Sequence, residues 1–92
     1  MSPRWTDSTG KHGVAKDDAT YALLNATYRA VLPDEEPEGV IVLYIGPRHA
    51  QALPEDDVEI LVHEFPDGRE ALIFHVMPLG PKFRRYREEN PS

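Results

Sequence analysis

The sequence predicts an α+β fold: an antiparallel sheet of three or four strands, an N-terminal helix packed on one face, and a short basic C-terminal helix. Three observations predict it. The nearly continuous apolar run Val40-Ile41-Val42-Leu43-Tyr44-Ile45 has the composition of an interior strand covered on both faces. Residues 58–65 and 70–77 are β-branched, aromatic and alternating, and Pro66-Asp67-Gly68-Arg69 between them reads as a hairpin turn. Tyr21, Leu24 and Tyr28 recur at helical spacing ahead of all three strands, so a helix precedes the sheet and packs against it.

In chain order, residues 1–10 are a polar N-terminal arm broken by Pro3 and Gly10, with Trp5 as its apolar anchor. Lys11-His12-Gly13-Val14 leads into the helix, which Asp17 or Asp18 caps and whose apolar stripe Leu23 and Ala26 broaden. Residues 29–32 read as a short strand or as the fraying end of the helix, and Pro33 stops either one. Asp34-Glu35-Glu36-Pro37-Glu38-Gly39 reads as a mobile acidic connector. Gly46-Pro47-Arg48-His49 then turns the chain out of the interior strand, and residues 50–57 form a second connector.

Within the hairpin, proline presets φ for the first turn position and glycine accepts the left-handed third. That favours a three-residue loop pairing Phe65 with Arg69. The register then sets Val58, Ile60 and Val62 opposite Val76, Phe74 and Leu72 on one apolar face. On the other face Glu59 lies opposite His75, Leu61 opposite Ile73, and His63 opposite Ala71. Pro78-Leu79-Gly80-Pro81 is a rigid bend before one or two helical turns over residues 82–89, and residues 90–92 fray. The 92 residues make one domain, with residues 11–89 as its core.

Without cysteine, disulfides, thiolate zinc sites and thiol catalysis are excluded, and the composition fits a reducing cytoplasm. No apolar run reaches membrane-spanning length and no signal-peptide core is present, so the expected location is cytoplasmic with no membrane contact. The net charge of −6 argues against non-specific coating of nucleic acid. Base is nevertheless concentrated in Lys82-Phe83-Arg84-Arg85-Tyr86-Arg87, with a smaller group at Lys11, His12 and Lys16, and a local basic surface can hold a few phosphates.

A glutamate beside a histidine on a sheet, with arginines near, is a kit for metal-free RNA cleavage. One group takes the proton of the 2′-hydroxyl, a second protonates the leaving 5′-oxygen, and a cation stabilises charge on the phosphate. Glu59 and His75 are the candidate pair and His63 a further proton carrier. Arg48, Arg84 or Arg85 is the candidate phosphate clamp. The bland alternative makes His63 and His75 half-buried sheet residues with satisfied hydrogen bonds. Lys11-His12 before Gly13 is a second candidate, weighed against a plain turn with two solvated side chains. A metal is not called for: no histidine pair stands at i, i+4 on a helix, and four residues of strand hold Glu59 and His63 too far apart to share an ion. No cofactor is expected.

The order of motifs resembles the BrnT-like toxins of bacterial type II toxin–antitoxin systems. The resemblance is carried by Lys11-His12-Gly13-Val14 leading into a helix, the Ile45-Gly46-Pro47-Arg48 strand exit, the hairpin, and the terminal Arg84-Arg85-Tyr86-Arg87-Glu88-Glu89. It implies a RelE/ParE-like fold and a small endoribonuclease that arrests translation. It also implies a DNA-binding antitoxin, of ribbon-helix-helix type, as partner. Residue by residue, it carries over Lys11, His12, Arg48, Arg84, Arg85 and Tyr86 as site candidates, and Lys82 and Arg87 belong to the same basic segment. On this reading Lys11, Arg48 and segment 82–87 converge on one surface, and an antitoxin covers it together with exposed Leu79 and Phe83. The rival reading is a non-enzymatic protein-binding module with acidic loops.

Overall fold

Ile41, Val42, Leu43 and Ile45 are all buried, because the strand they form is paired on both sides and covered on both faces. The computed structural model describes residues 4–33 and 38–91. The acidic stretch 34–37, read above as part of a mobile connector, and the last residue of the tail lie outside them. The elements are β1 (Arg4–Trp5), a 3-10 turn (Asp7–Gly10), α1 (Lys16–Leu24), β2 (Tyr28–Val31), β3 (Val40–Pro47), a second 3-10 turn (Pro54–Asp56), β4 (Asp57–Glu64), β5 (Leu72–Pro78) and α2 (Pro81–Glu89). The architecture is α+β. Among the described residues, no helix is long and apolar enough to cross a membrane.

Among the described residues the sheet has five strands in the order β1-β5-β4-β3-β2, more than the three or four predicted. It is mixed rather than antiparallel, since β1 runs parallel to β5. The arm supplies this extra strand: the Arg4 amide donates to the Ala71 carbonyl at 2.8 Å and the Thr6 amide to Ile73 at 3.0 Å. Two extended residues are enough to occupy part of an otherwise open edge. Residues 29–31 resolve as strand, and Tyr28 belongs to β2 rather than to the helix.

The helices take opposite faces. Val14, Ala19 and Ala22 pack with Val58, Ile60, Val62, Ile73 and Val76 under α1, with Trp5 and Tyr44 against their margin. Leu79 and Phe83 pack with Tyr28, Leu32, Ile41, Leu43 and Ile45 under α2. Leu79 and Phe83 are therefore core residues, not the exposed apolar side chains expected for a partner. The buried stripe of α1 also differs from the predicted one: Ala19 and Ala22 face the sheet, while Leu24 is 79% exposed. Small residues face inward because α1 lies almost on the backbone of β3. A Cβ on Gly46 would overlap the Ala22 carbonyl oxygen, so only glycine fits there.

The hairpin keeps its turn chemistry and changes its register. Gly68 has φ +86°, as the left-handed turn position requires, and Asp67 Oδ1 accepts from the Arg69 amide at 3.2 Å. The strands end at Glu64 and resume at Leu72, so the connection runs over residues 65–71 and is longer than the predicted loop. Glu59 stands opposite Met77 and Leu61 opposite His75, two residues from the predicted partners. A bulge then shifts the register between Leu61 and Val62, so that His75 stands opposite Leu61 and Ile73 opposite Val62, with Phe74 as the extra residue of the bulge. Ile73 consequently joins the core under α1, and Phe74 packs toward α2.

Candidate active site

Glu59 is a carboxylate on an interior strand with 4% of its side chain exposed. A buried charge must be fully hydrogen-bonded to be tolerable. Both of its oxygens are engaged. Oε1 accepts the Gly80 amide at 2.8 Å, and Oε2 accepts His75 Nε2–H at 2.8 Å. Gly80 is the residue that caps α2, with extended backbone at φ −94° and ψ 177°, and Pro81 follows at the first helical turn. The carboxylate therefore faces the positive end of α2 while it orients an imidazole.

The pair is diagonal rather than directly opposed. Because the register differs from the predicted one by two residues at this end, Glu59 and His75 stay on the same face and their side chains still meet. His75 is the reachable member, with 26% of its side chain exposed. Chain order gives no hint of its second neighbour. The His12 ring lies edge-to-face with the His75 ring, centroids 5.7 Å apart. His12 is exposed on the turn between Gly10 and Gly13, and Gly13 has φ +75°. The 3-10 turn after β1 packs on β5 and delivers that loop to the His75 edge.

A cavity of about 300 Å³ opens beside the pair, lined by Glu59, Leu61, His75, Met77, Gly80, Pro81, Lys82 and Phe83. Two imidazoles in contact, one held by a buried carboxylate and one exposed, with an ammonium on the lining that His75 shares, make a set able to move two protons and to stabilise an anion. Met77 and the Gly80 amide are the members that sequence reasoning missed. The Gly80-Pro81 pair ahead of a basic segment is a helix-start signal and could have placed the amide.

The other candidates are distributed along α2 and around the sheet. Lys11 is exposed beside His12. Arg87 is committed to a structural contact, its Nη1 donating to Asp57 Oδ2 at 3.2 Å. Tyr86 is half-buried and edge-to-face with Phe83, centroids 6.5 Å apart. Arg84 is half-buried and Arg85 exposed. Arg48 leaves β3 beside Pro47, which stands opposite Asp57, and its Nε is buried with no hydrogen-bond partner among the described residues. Of the predicted phosphate-binding residues, Lys82 is the one among the cavity's lining. His63 is four residues along β4 from Glu59, roughly 13 Å away by strand rise; it hydrogen-bonds the Glu38 carbonyl and stacks on Phe65.

On the α1 side of the sheet a second polar cluster forms. Tyr44 donates its hydroxyl to Glu64 Oε2 at 2.6 Å, and Arg29 lies over the Tyr44 ring. Burial and the Glu64 carboxylate push the Tyr44 hydroxyl above its ordinary range. Among the described residues, no group of three His, Asp or Glu side chains is arranged to hold a metal ion. No family model, no curated protein and no solved structure matches the chain.

Proposed function

We propose that the protein is a metal-independent endoribonuclease of the BrnT-like kind, the toxin of a toxin–antitoxin pair in the bacterial cytoplasm. The observation that carries this reading is the contact of the His12 ring with His75, which Glu59 holds and which lines a cavity together with Lys82. His75, held by Glu59, takes the proton from a ribose 2′-hydroxyl. The 2′-oxygen bonds to phosphorus, the bond from phosphorus to the 5′-oxygen breaks, and His12 returns a proton to that oxygen. Lys82 stabilises the charge that builds on the phosphoryl oxygens. The products are a 2′,3′-cyclic phosphate and a 5′-hydroxyl. Glu59 itself is too buried to touch substrate and acts as a positioning residue. The expected partner is a ribbon-helix-helix antitoxin that covers the basic outer side of α2.

Inducible expression in a bacterial host tests this. Wild type is expected to arrest growth, and His75→Ala is expected to relieve the arrest at equal soluble protein. No arrest at high soluble expression would overturn the toxin reading.

A second reading, a binding module without catalysis, is favoured by the sheet edge. The strand β2 is outermost, and Val31 and Val40 are exposed at 50% and 41% on adjacent strands. Under this reading the host grows normally and His75→Ala changes nothing.

A further inference from the structure

We infer that the cavity beside the Glu59–His75 pair is a nucleobase subsite, which stacks the base next to the cleaved phosphate; this rests on the ribonuclease reading. The cavity mixes apolar and polar groups. Leu61, Met77, Pro81 and Phe83 supply the apolar part, and His75 and Lys82 the polar part, with the Lys82 ammonium 5.2 Å from the centre of the Phe83 ring. A flat ring joined to a phosphate needs both kinds of group. At about 300 Å³ the space is at the small end of ligand pockets, room for one base with its sugar and not for a protein segment.

Met77 is half-buried on the cavity's lining, and its unbranched thioether can adapt to the face of a ring. Gly80 lies on the lining between Glu59 and Met77: a methyl group there would be in ordinary contact with both, 3.5 Å from Glu59 Oε1 and 3.7 Å from the Met77 terminal carbon. Both Glu59 oxygens are already occupied, so the carboxylate does not read the edge of a base. Binding is by stacking and shape, and tolerates different bases.

The chain has two methionines, Met1 and Met77, so methionine-methyl NMR on ¹³C-labelled protein gives a two-signal spectrum that Met77→Leu assigns. The probes are adenosine 3′-monophosphate and inorganic phosphate. The nucleotide is expected to move the Met77 methyl upfield, by the ring current of the base, together with the His12 and His75 ring signals. Phosphate is expected to move the rings alone. If the nucleotide moves the rings and leaves the Met77 methyl in place, the subsite is overturned and the ribonuclease reading stands. If neither probe moves the rings or the methyl, both are overturned.

Discussion

Glu59 holds His75 with one carboxylate oxygen and the Gly80 amide with the other, each at 2.8 Å. One buried side chain thereby fastens an imidazole on β5 to the start of α2. The same contact orients a reactive group and closes a helix onto the sheet. Stability and chemistry are coupled at this residue, and substitutions separate them by degree.

Glu59→Ala leaves the Gly80 amide and the His75 ring without this acceptor in a part-buried setting. It is expected to cost about 2–3 kcal/mol of stability. Glu59→Gln keeps an acceptor for one of the two and is expected to cost about 1 kcal/mol. Urea denaturation of the two variants gives both numbers. Equal, negligible losses would show that the contact does not hold α2.

The Glu59–His75 meeting was legible in the sequence for a specific reason. The predicted register was two residues away at this end of the hairpin, and an even slip preserves the face of every side chain. Beyond the bulge at Phe74 the slip becomes odd, and Ile73 moves from the predicted polar face into the core under α1. No glycine or proline in residues 70–77 marks that bulge. His12 was legible as a candidate but not as a neighbour of His75, since that depends on a two-residue strand joining the far side of the sheet. The helix stripe was misread because bulky Tyr21 and Leu24 looked like the core face, whereas close approach at Gly46 requires alanine.

Gly46→Ala tests that close approach. The new methyl meets the Ala22 carbonyl and cannot be relieved without lifting α1 from β3. The expected loss is at least about 2 kcal/mol, seen as a large drop in thermal midpoint. An unchanged midpoint would mean that α1 sits farther from the sheet than described.

Within the basic segment, Arg87 and Arg85 are expected to behave differently. Arg87 is paired with Asp57, whose side chain is 12% exposed, and Arg87→Ala should cost about 1–2 kcal/mol by leaving that carboxylate short of a partner. Arg85 is exposed, and Arg85→Ala should stay within about 0.5 kcal/mol of wild type. Chemical denaturation of the pair distinguishes them; equal losses would contradict the assignment of Arg87 to the fold.

Tyr28 donates its hydroxyl to the Asn90 carbonyl at 2.7 Å, tying the end of α2 to the sheet. Burial, with Tyr86 adding to it and Arg87 opposing, raises its ionisation above the ordinary tyrosine range. The raised group contributes stability below the unfolded tyrosine value of about 10. That contribution is lost as pH rises further, because the unfolded chain ionises first. Tyr28→Phe should therefore be about 1 kcal/mol less stable at neutral pH and should show a weaker decline above pH ~10. Parallel alkaline declines in the two proteins would contradict the assignment.

The most direct test of the account is cleavage of a labelled RNA by purified, folded protein in excess EDTA, with end-group analysis of the products. The account predicts fragments ending in 2′,3′-cyclic phosphate, formed by wild type and by Arg85→Ala. It predicts loss of cleavage in both His75→Ala and His12→Ala at unchanged secondary structure. Absence of cleavage by wild type, or cleavage that survives both histidine substitutions, would contradict it.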